Sequence, residues 1–553
     1  MRNYPLYPVK RLRDLKEMTD AACATFAQHD AFRTMTGNSA FAAVSYERFG
    51  QELCALANTL IDRGLAGKAI AVVGENSYAW VLTYLSVVNI NATIVPLDKE
   101  LSKEAMQELV ARSGAGVLFY SNTYDEEASY IKANTAGLIT VSFKEGGTAD
   151  FVLPHWLERG QQIIEQGSDQ YSKIEIDCDR TCTVLFTSGT TGNSKGVMLS
   201  HHCLAANIVS ACELILYTPE DTMLSVLPIH HTYEAMAGIL CPINRGSAIA
   251  FCEGIKSLPA CLALFKPTVM VLVPLYVETF CRRIWDTAKK HGKAEKLKFG
   301  IGLCNILASV GVDLRGKLLA DVLNFFGGRL KFIISGGAAL NPALVKNFRD
   351  FGITLVQGYG TTECSPIIAE NRNQYHKAEA VGIVLSCNEV RIDSTGEILV
   401  KGENVMKGYL NDPQGTAEAF DGEWYKTGDL GCIDKDGFLY VTGRSKNLIV
   451  LKNGKNISPE EIEQPLSAIP YITDVLVTED PGNEYLMALI YPDQEALKTM
   501  GEEALKQAIS EAIDRVNQKL VTYKRVRRFE LRSKEFPKTT KRTIMRHQVK
   551  GGE

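Results

Sequence analysis

The chain has 553 residues, 22% of them charged, with a formal net charge of -4 and a pI near 6.2. That length exceeds one hydrophobic core and predicts a large domain with subdomains plus at least one more, while the mild acidity excludes the basic footprint of a general nucleic-acid binder. The 14 cysteines include no CxxC pair, and Cys178 and Cys182 lack the neighbouring histidines of common zinc sites, so reduced thiols in a cytoplasmic compartment are expected.

The opening MRNYPLYPVKRLRDLKEM alternates charge with apolar residues and lacks the apolar core of a signal peptide. No run approaches the roughly 18 apolar residues that cross a bilayer. A soluble protein is expected, with peripheral membrane contact at most. From Ala69 short β-branched runs alternate with helical ones: AIAVV, SYAWVLTYLSVVN, ATIVPL, KEAMQELVARS and GVLFYS. This predicts parallel strands with crossover helices, an α/β architecture in two or more sheet layers, and SAIAF, VMVLV and LKFIIS continue it.

Thr183 to Phe186 reads as a buried strand and Thr187 to Gly196 as the turn that leaves it. Gly189, Gly192 and Gly196 permit close backbone approach. Ser188, Thr190, Thr191 and Ser194 add hydroxyls, and Lys195 supplies a point charge suited to phosphate. Two readings stand: an anion cradle built on bare amides, or a flexible Ser/Gly linker. The Walker pattern G-x-x-x-x-G-K-[ST] is excluded, because glycine follows Lys195.

Near residue 395 the texture turns antiparallel, with EILVKG and then GCIDKDGFLYVTG, in which Asp436-Gly437 marks a hairpin. After Gly443 a smaller α+β unit of about 110 residues is expected. It contains strands DVLVTE and YLMALIY and a helix from about Glu502 to Leu520, in which Leu505, Ile509, Ile513, Val516 and Leu520 make one buried face.

Further strings of the same small, hydroxyl-rich kind follow: SGGAAL from Ser335, QGYGTTECSP from Gln357, WYKTGDLG from Trp424 and GRSKNLIVLKNGKNISPEEIE from Gly443. With these in order, nearly the whole chain resembles the adenylate-forming superfamily of acyl-CoA synthetases, luciferases and peptide-synthetase adenylation domains. The resemblance implies a large N-terminal domain, residues 1–444, of layered α/β subdomains plus a β-barrel-like subdomain. It also implies a small mobile α+β C-terminal domain, residues 445–553, hinged near Lys446.

It further implies that Thr187, Ser188, Gly189, Thr190, Thr191, Gly192 and Lys195 wrap the outer phosphates of ATP, and that Gly336, Gly337 and Ala338 lie beside adenine. Tyr359, within Gly358, Gly360 and Thr361, would pack on the base, and Thr362 would meet the α-phosphate. Glu363 would be the Mg²⁺ carboxylate, since magnesium takes oxygen ligands and keeps waters and substrate phosphates. Asp429 and Arg444 would hold the ribose. In LPIHHTYE, His231 and Glu234 fit the pattern P-x-x-H-x-x-E, placing His231 at the mouth of the carboxylate site and leaving His230 structural. Lys452 and Gly454 would line a channel for coenzyme A. Read alone, Tyr359 is a packing tyrosine, Glu363 a solvated acid, Asp429 a turn residue and Lys446 an exposed linker lysine.

One departure stands out. The pattern P-K-T-x-x-(G or R)-K-[IV]-x-R supplies a lysine to the reacting carboxylate, and FPKTTKRTIMR places Thr543 there. In an extended segment, Lys541 would share its face at about 6 to 7 Å and could stand in. The basic tail YKRVRRFELRSKEFPKTTKR is either a solvated face or a patch for CoA phosphates or a membrane. The helical insertion from Tyr276 to Phe326 resembles the long-chain branch. The expected activity is therefore ATP-dependent activation of a medium- or long-chain fatty acid and transfer to coenzyme A. The alternatives are an acyl carrier protein as acceptor, an aryl acid as substrate, or a catalytically weak acyl- and nucleotide-binding protein.

Overall fold

The computed structural model describes residues 3–37, 39–187, 194–254, 256–452, 456–469, 471–480, 482, 484–538 and 544–549. The chain divides into two compact units, one of Met1–Val390 with Val400–Tyr425 and the other of Arg391–Leu399 with Lys426–Glu553.

The first unit holds two sheets. The AIAVV and ATIVPL runs are strands Ala69–Val73 and Thr93–Pro96, flanked in an eight-stranded sheet by Val117–Tyr120, Ile139–Ser142, Thr181–Thr187 and Lys195–Ser200. Their cores are parallel, as the alternation with helices requires. Local chemistry sets the crossover helices. Ser77 caps Tyr78–Val88, and Ser102 caps Lys103–Ser113, which stops at Gly114 in the left-handed conformation.

The second sheet runs parallel through Asp30–Met35, Ala248–Phe251, Thr222–Ser225, Val269–Leu272, Phe332–Ser335 and Thr354–Gly360, then turns antiparallel at Ile367–Glu370. Leu224, Met270, Leu272, Ile333, Phe348 and Phe351 form part of the core on it. The expected insertion is helical, as Pro274–Lys290, Ala294–Ser309, Arg315–Leu318 and Ala320–Phe325.

In the second unit Phe438–Arg444 pairs antiparallel with the preceding strand, and Gly437, at φ +82°, makes the hairpin turn. Farther on, Ile472–Glu479, Leu486–Pro492 and Val526–Leu531 form a three-stranded sheet under helix Glu502–Asn517. Leu505, Ile509 and Ile513 are buried in its core as the spacing predicts, but the helix ends at Asn517, short of Leu520. There the chain tightens into a turn, with Lys519 N–H on Val516 O and Leu520 N–H on Asn517 O, while the Asn517 amide bonds both the N–H and the C=O of Val526.

Described strand pairings form open sheets only. Asn388–Ile392 remains a sheet edge, so the barrel-like subdomain is not formed, since closure needs every edge paired. No helix among the described residues is long and apolar enough to cross a membrane.

Candidate active site

The glycine-rich segment sits on a β-hairpin. Thr181–Thr187 and Lys195–Ser200 pair antiparallel with Thr187 directly opposite Lys195. The turn is therefore shorter than the expected Thr187 to Gly196, because the ladder extends to Phe186↔Gly196 and one pair beyond. A Cβ at Gly196 would stand 3.1 Å from Leu410 Cβ and from Phe186 Cε1, so close packing favours glycine there. Ser188, Gly189, Thr190, Thr191 and Gly192 lie outside the described residues. Arg112, at the end of helix Lys103–Ser113, donates to Ser194 O at 2.7 Å and anchors the far end of the turn.

Strand Gly408–Tyr409 pairs antiparallel with Lys195–Ser200 and brings a tyrosine to the site. Lys195 Nζ lies 4.5 Å from the centre of the Tyr409 ring, a cation–π contact. The Tyr409 hydroxyl donates to Glu363 Oε1 at 3.0 Å, and Met406 N–H donates to the Glu363 carbonyl at 2.8 Å. Burial, with the Glu363 carboxylate beside it, pushes the Tyr409 hydroxyl above its ordinary pKa and keeps it a donor. One aromatic side chain thus joins the lysine of the first motif to the carboxylate of another.

Gly358, Tyr359 and Gly360 lie on strand Thr354–Gly360, paired with Glu370, Ala369 and Ile367. Thr361 precedes the short turn Thr362–Cys364, which carries Thr362 and Glu363, all three half-buried. Thr362 Oγ1 is 3.3 Å from Thr232 Oγ1, which couples this turn to the segment bearing His231. Gly336 is buried and Gly337 and Ala338 are exposed after strand Phe332–Ser335. A Cβ on Gly336 would come within 2.8 Å of Tyr233 Cζ, so the missing side chain makes room for that ring.

His231 is half-buried at the foot of a π-helical turn, Glu234–Leu240. The wider winding closes with Cys241 N–H on Met236 O, ahead of the short helix Cys241–Asn244. Buried His230 has Nε2 3.1 Å from Asp98 Oδ1, near but without hydrogen-bond alignment, and its ring centre is 4.3 Å from that of His231. Burial works to raise the Asp98 carboxyl, but the positive field of the two imidazoles and the Glu100 N–H, which donates to Oδ1 at 2.9 Å, outweigh it and hold the pKa at about 2. Asp98, His230 and His231 each offer a ligand atom within 4.8 Å of the others. Two imidazoles suit transition metals better than magnesium.

Glu234 is fully buried and bonded to Ser225 Oγ at 2.6 Å, and burial pushes its carboxyl up to about 8. Asn76 in turn donates to Ser225 Oγ and Leu227 O.

In the second unit, Asp429 and Arg444 are cross-strand partners, with Nε 3.1 Å from Oδ1, Asp429 buried and Arg444 exposed. Lys446 is exposed in the short turn Ser445–Asn447. Lys452 lies 3.5 Å from Glu484, and Gly454 falls outside the described residues. So do Lys541 and Thr543, flanked by the antiparallel bridge Lys538↔Ile544. Tyr409, Arg112, Tyr233 and Asp98 were missed in the sequence, where only strand order would have singled them out.

Lysine, tyrosine hydroxyl and carboxylate are thus brought together on an α/β scaffold. The chain matches the model of AMP-binding enzymes over residues 19–410, and residues 446–551 match the AMP-binding enzyme C-terminal domain. It belongs to the AMP-binding enzyme family. Long-chain-fatty-acid–CoA ligase FadD15 of Mycobacterium bovis is 30% identical over 483 residues, covering 83% of this chain and 78% of that one. Long-chain-fatty-acid–CoA ligase 5 of Rattus norvegicus is 28% identical over 502 residues, covering 83% and 72%. Among solved structures, the anthranilate CoA ligase AuaEII in complex with anthranoyl-AMP has a TM-score of 0.78 at 20% identity, covering 99% of this chain and 97% of that one. ATP-bound MatB from Rhodopseudomonas palustris has a TM-score of 0.75 at 22% identity, covering 97% and 98%. At those identities the two structures bear on the fold alone.

Proposed function

We propose that the protein is an AMP-forming acid–thiol ligase that activates a medium- or long-chain fatty acid with ATP and transfers it to coenzyme A. The observation that carries this reading is the Lys195–Tyr409–Glu363 chain, a cation and a carboxylate held by one aromatic, which would serve phosphate and Mg²⁺ respectively. The naming of relatives as long-chain-fatty-acid–CoA ligases supports the choice of acid.

In the first step a carboxylate oxygen attacks the α-phosphorus of ATP, and the bond to pyrophosphate breaks. Charge builds on phosphate oxygens that Lys195 and Thr362 would meet, an electrostatic form of catalysis. Glu363, an oxygen donor held by Tyr409, fits Mg²⁺, which when bound would offset phosphate charge. Gly336, Gly337, Ala338 and Tyr359 would receive adenine, and Asp429 with Arg444 the ribose. His231 would orient the acid. In the second step the thiolate of coenzyme A attacks the acyl carbonyl and AMP leaves, with Lys452 and Gly454 on its path and a hinge near Lys446. This division of labour assigns residues 1–444 to nucleotide and acid and 445–553 to a mobile small domain. The 14 unpaired cysteines support a cytoplasmic site of action.

Measuring AMP release for carboxylates from acetate to oleate, with and without coenzyme A, tests the proposal. CoA-dependent AMP from a long-chain acid is expected, and no AMP with any acid overturns it. A second reading, binding with little turnover, is favoured by Thr543 in place of the lysine of the family pattern. An acyl carrier protein as acceptor, or an aryl acid, would show as AMP release dependent on those partners.

A further inference from the structure

Asp98 stands just past strand Thr93–Pro96, and His230 and His231 lie in the segment that leaves strand Thr222–Ser225. These strands belong to different sheets, so each sheet delivers part of one cluster. Both parts are held in place. Asn76 accepts the Ile229 N–H and donates to Leu227 O, while Asp98 Oδ1 accepts the Glu100 N–H. His230 is only 6% exposed, yet neither of its ring nitrogens has a hydrogen-bond partner among the described residues. A buried imidazole left that way is costly.

Its Nε2 is nevertheless 3.1 Å from Asp98 Oδ1, with the oxygen off the axis along which that nitrogen would donate. A shared proton needs the aligned approach that is missing here. An ion between them does not. Two ligand atoms 3.1 Å apart, each about 2.0–2.1 Å from a metal, subtend about 95–100° at it, between the octahedral and tetrahedral values. The third donor is on His231, whose ring centre is 4.3 Å from that of His230, and the three ligand atoms fall within 4.8 Å of one another.

We propose that Asp98, His230 and His231 bind a divalent transition-metal ion of the zinc and cobalt class, with a further position open to water. Two imidazoles and one carboxylate are a three-residue zinc ligand set. Magnesium, which seeks oxygen ligands, competes poorly for it. With the ion in place, the His231 imidazole is committed to the metal and no longer orients the acid, so occupancy inhibits activation. That consequence rests on the ligase reading above, whereas binding of the ion does not.

Titrating the full-length chain with Co²⁺ in excess Mg²⁺ tests the site. The visible d–d bands of a nitrogen- and oxygen-ligated ion are expected, distinct from the ultraviolet thiolate-to-cobalt band that cysteines give, and Zn²⁺ should bleach them. Asp98→Asn and His230→Gln nearly keep side-chain size. Each is expected to weaken Co²⁺ binding at least about tenfold, since loss of even an outer-shell partner costs a metal site that much. Asp98 is half-buried, so Asp98→Asn, checked for folding by thermal melts, decides the matter should His230→Gln not fold. In the parent, Co²⁺ should raise the KM for the acid and leave that for ATP unchanged, and Asp98→Asn should need at least about tenfold more Co²⁺ for the same rise. No visible bands, a thiolate spectrum alone, or equal affinity in parent and folded variants overturns the site. Cobalt binding without a rise in the KM for the acid overturns the inhibition. A chain that binds Co²⁺ at these residues but releases no AMP with any acid supports the site and overturns the ligase reading alone.

Discussion

The Tyr409 hydroxyl holds Glu363 Oε1 at 3.0 Å while its ring lies 4.5 Å from Lys195 Nζ. Tyr409→Phe keeps the ring under the lysine and removes only the hydrogen bond. A bond to a charged group is worth about 1.5–3 kcal/mol, so pyrophosphate exchange should slow by about tenfold or more, and the magnesium needed for half-maximal rate should rise. An unchanged magnesium requirement would count against a magnesium-binding role for the carboxylate that Tyr409 holds.

Glu234 gives a pH signature. Its folded pKa of about 8 lies above the ordinary carboxyl value of 4.5, so the stability it contributes is complete below about 4.5 and is lost as pH climbs through 8. In the native protein the unfolding free energy should fall across that window by on the order of 4 kcal/mol from this group alone. Glu234→Gln keeps the shape and removes the titration. Denaturant melts from pH 4.5 to 9 should show the variant gaining on the parent as pH rises, and parallel curves would refute a neutral buried acid.

Asp429 pairs across the strand with Arg444. If the pair holds the ribose, Asp429→Ala should raise the KM for ATP by about tenfold to a hundredfold, matching the loss of one or two hydrogen bonds to a charged group. The KM for the acid should stay put. A fall in stability with unchanged ATP affinity would make Asp429 a purely structural residue.

The departure at Thr543 invites a gain-of-function experiment. Thr543→Lys should accelerate pyrophosphate exchange, and Lys541→Ala should slow it if Lys541 stands in for the missing cation. If neither changes the rate, the first half-reaction does not use this segment.

The alternation of β-branched and helical runs was enough to read the parallel sheets, because buried strands need continuous apolar chemistry and crossover helices need caps such as Ser77 and Ser102. The Asp436-Gly437 turn was legible for a similarly local reason, the positive φ that Gly437 adopts. What could not be read was anything set by strand neighbours. Tyr409 reaches Glu363 only because Gly408–Tyr409 adds to the edge of Lys195–Ser200, and Asp98 meets His230 only through the fold. The helix stops short of Leu520 because the chain tightens there into a turn, yet Leu520 still packs on the core that its spacing predicted.

The pairing of Thr187 with Lys195 has a consequence for how this catalyst could vary. The cation is riveted to the framework, and its height above the neighbouring strand is dictated by backbone register, whatever the intervening chain does. Residues between those two positions could be lengthened, shortened or exchanged, and the backbone that carries the lysine would stay where it is. Length in one part of the motif and placement of the lysine in the other can therefore change independently.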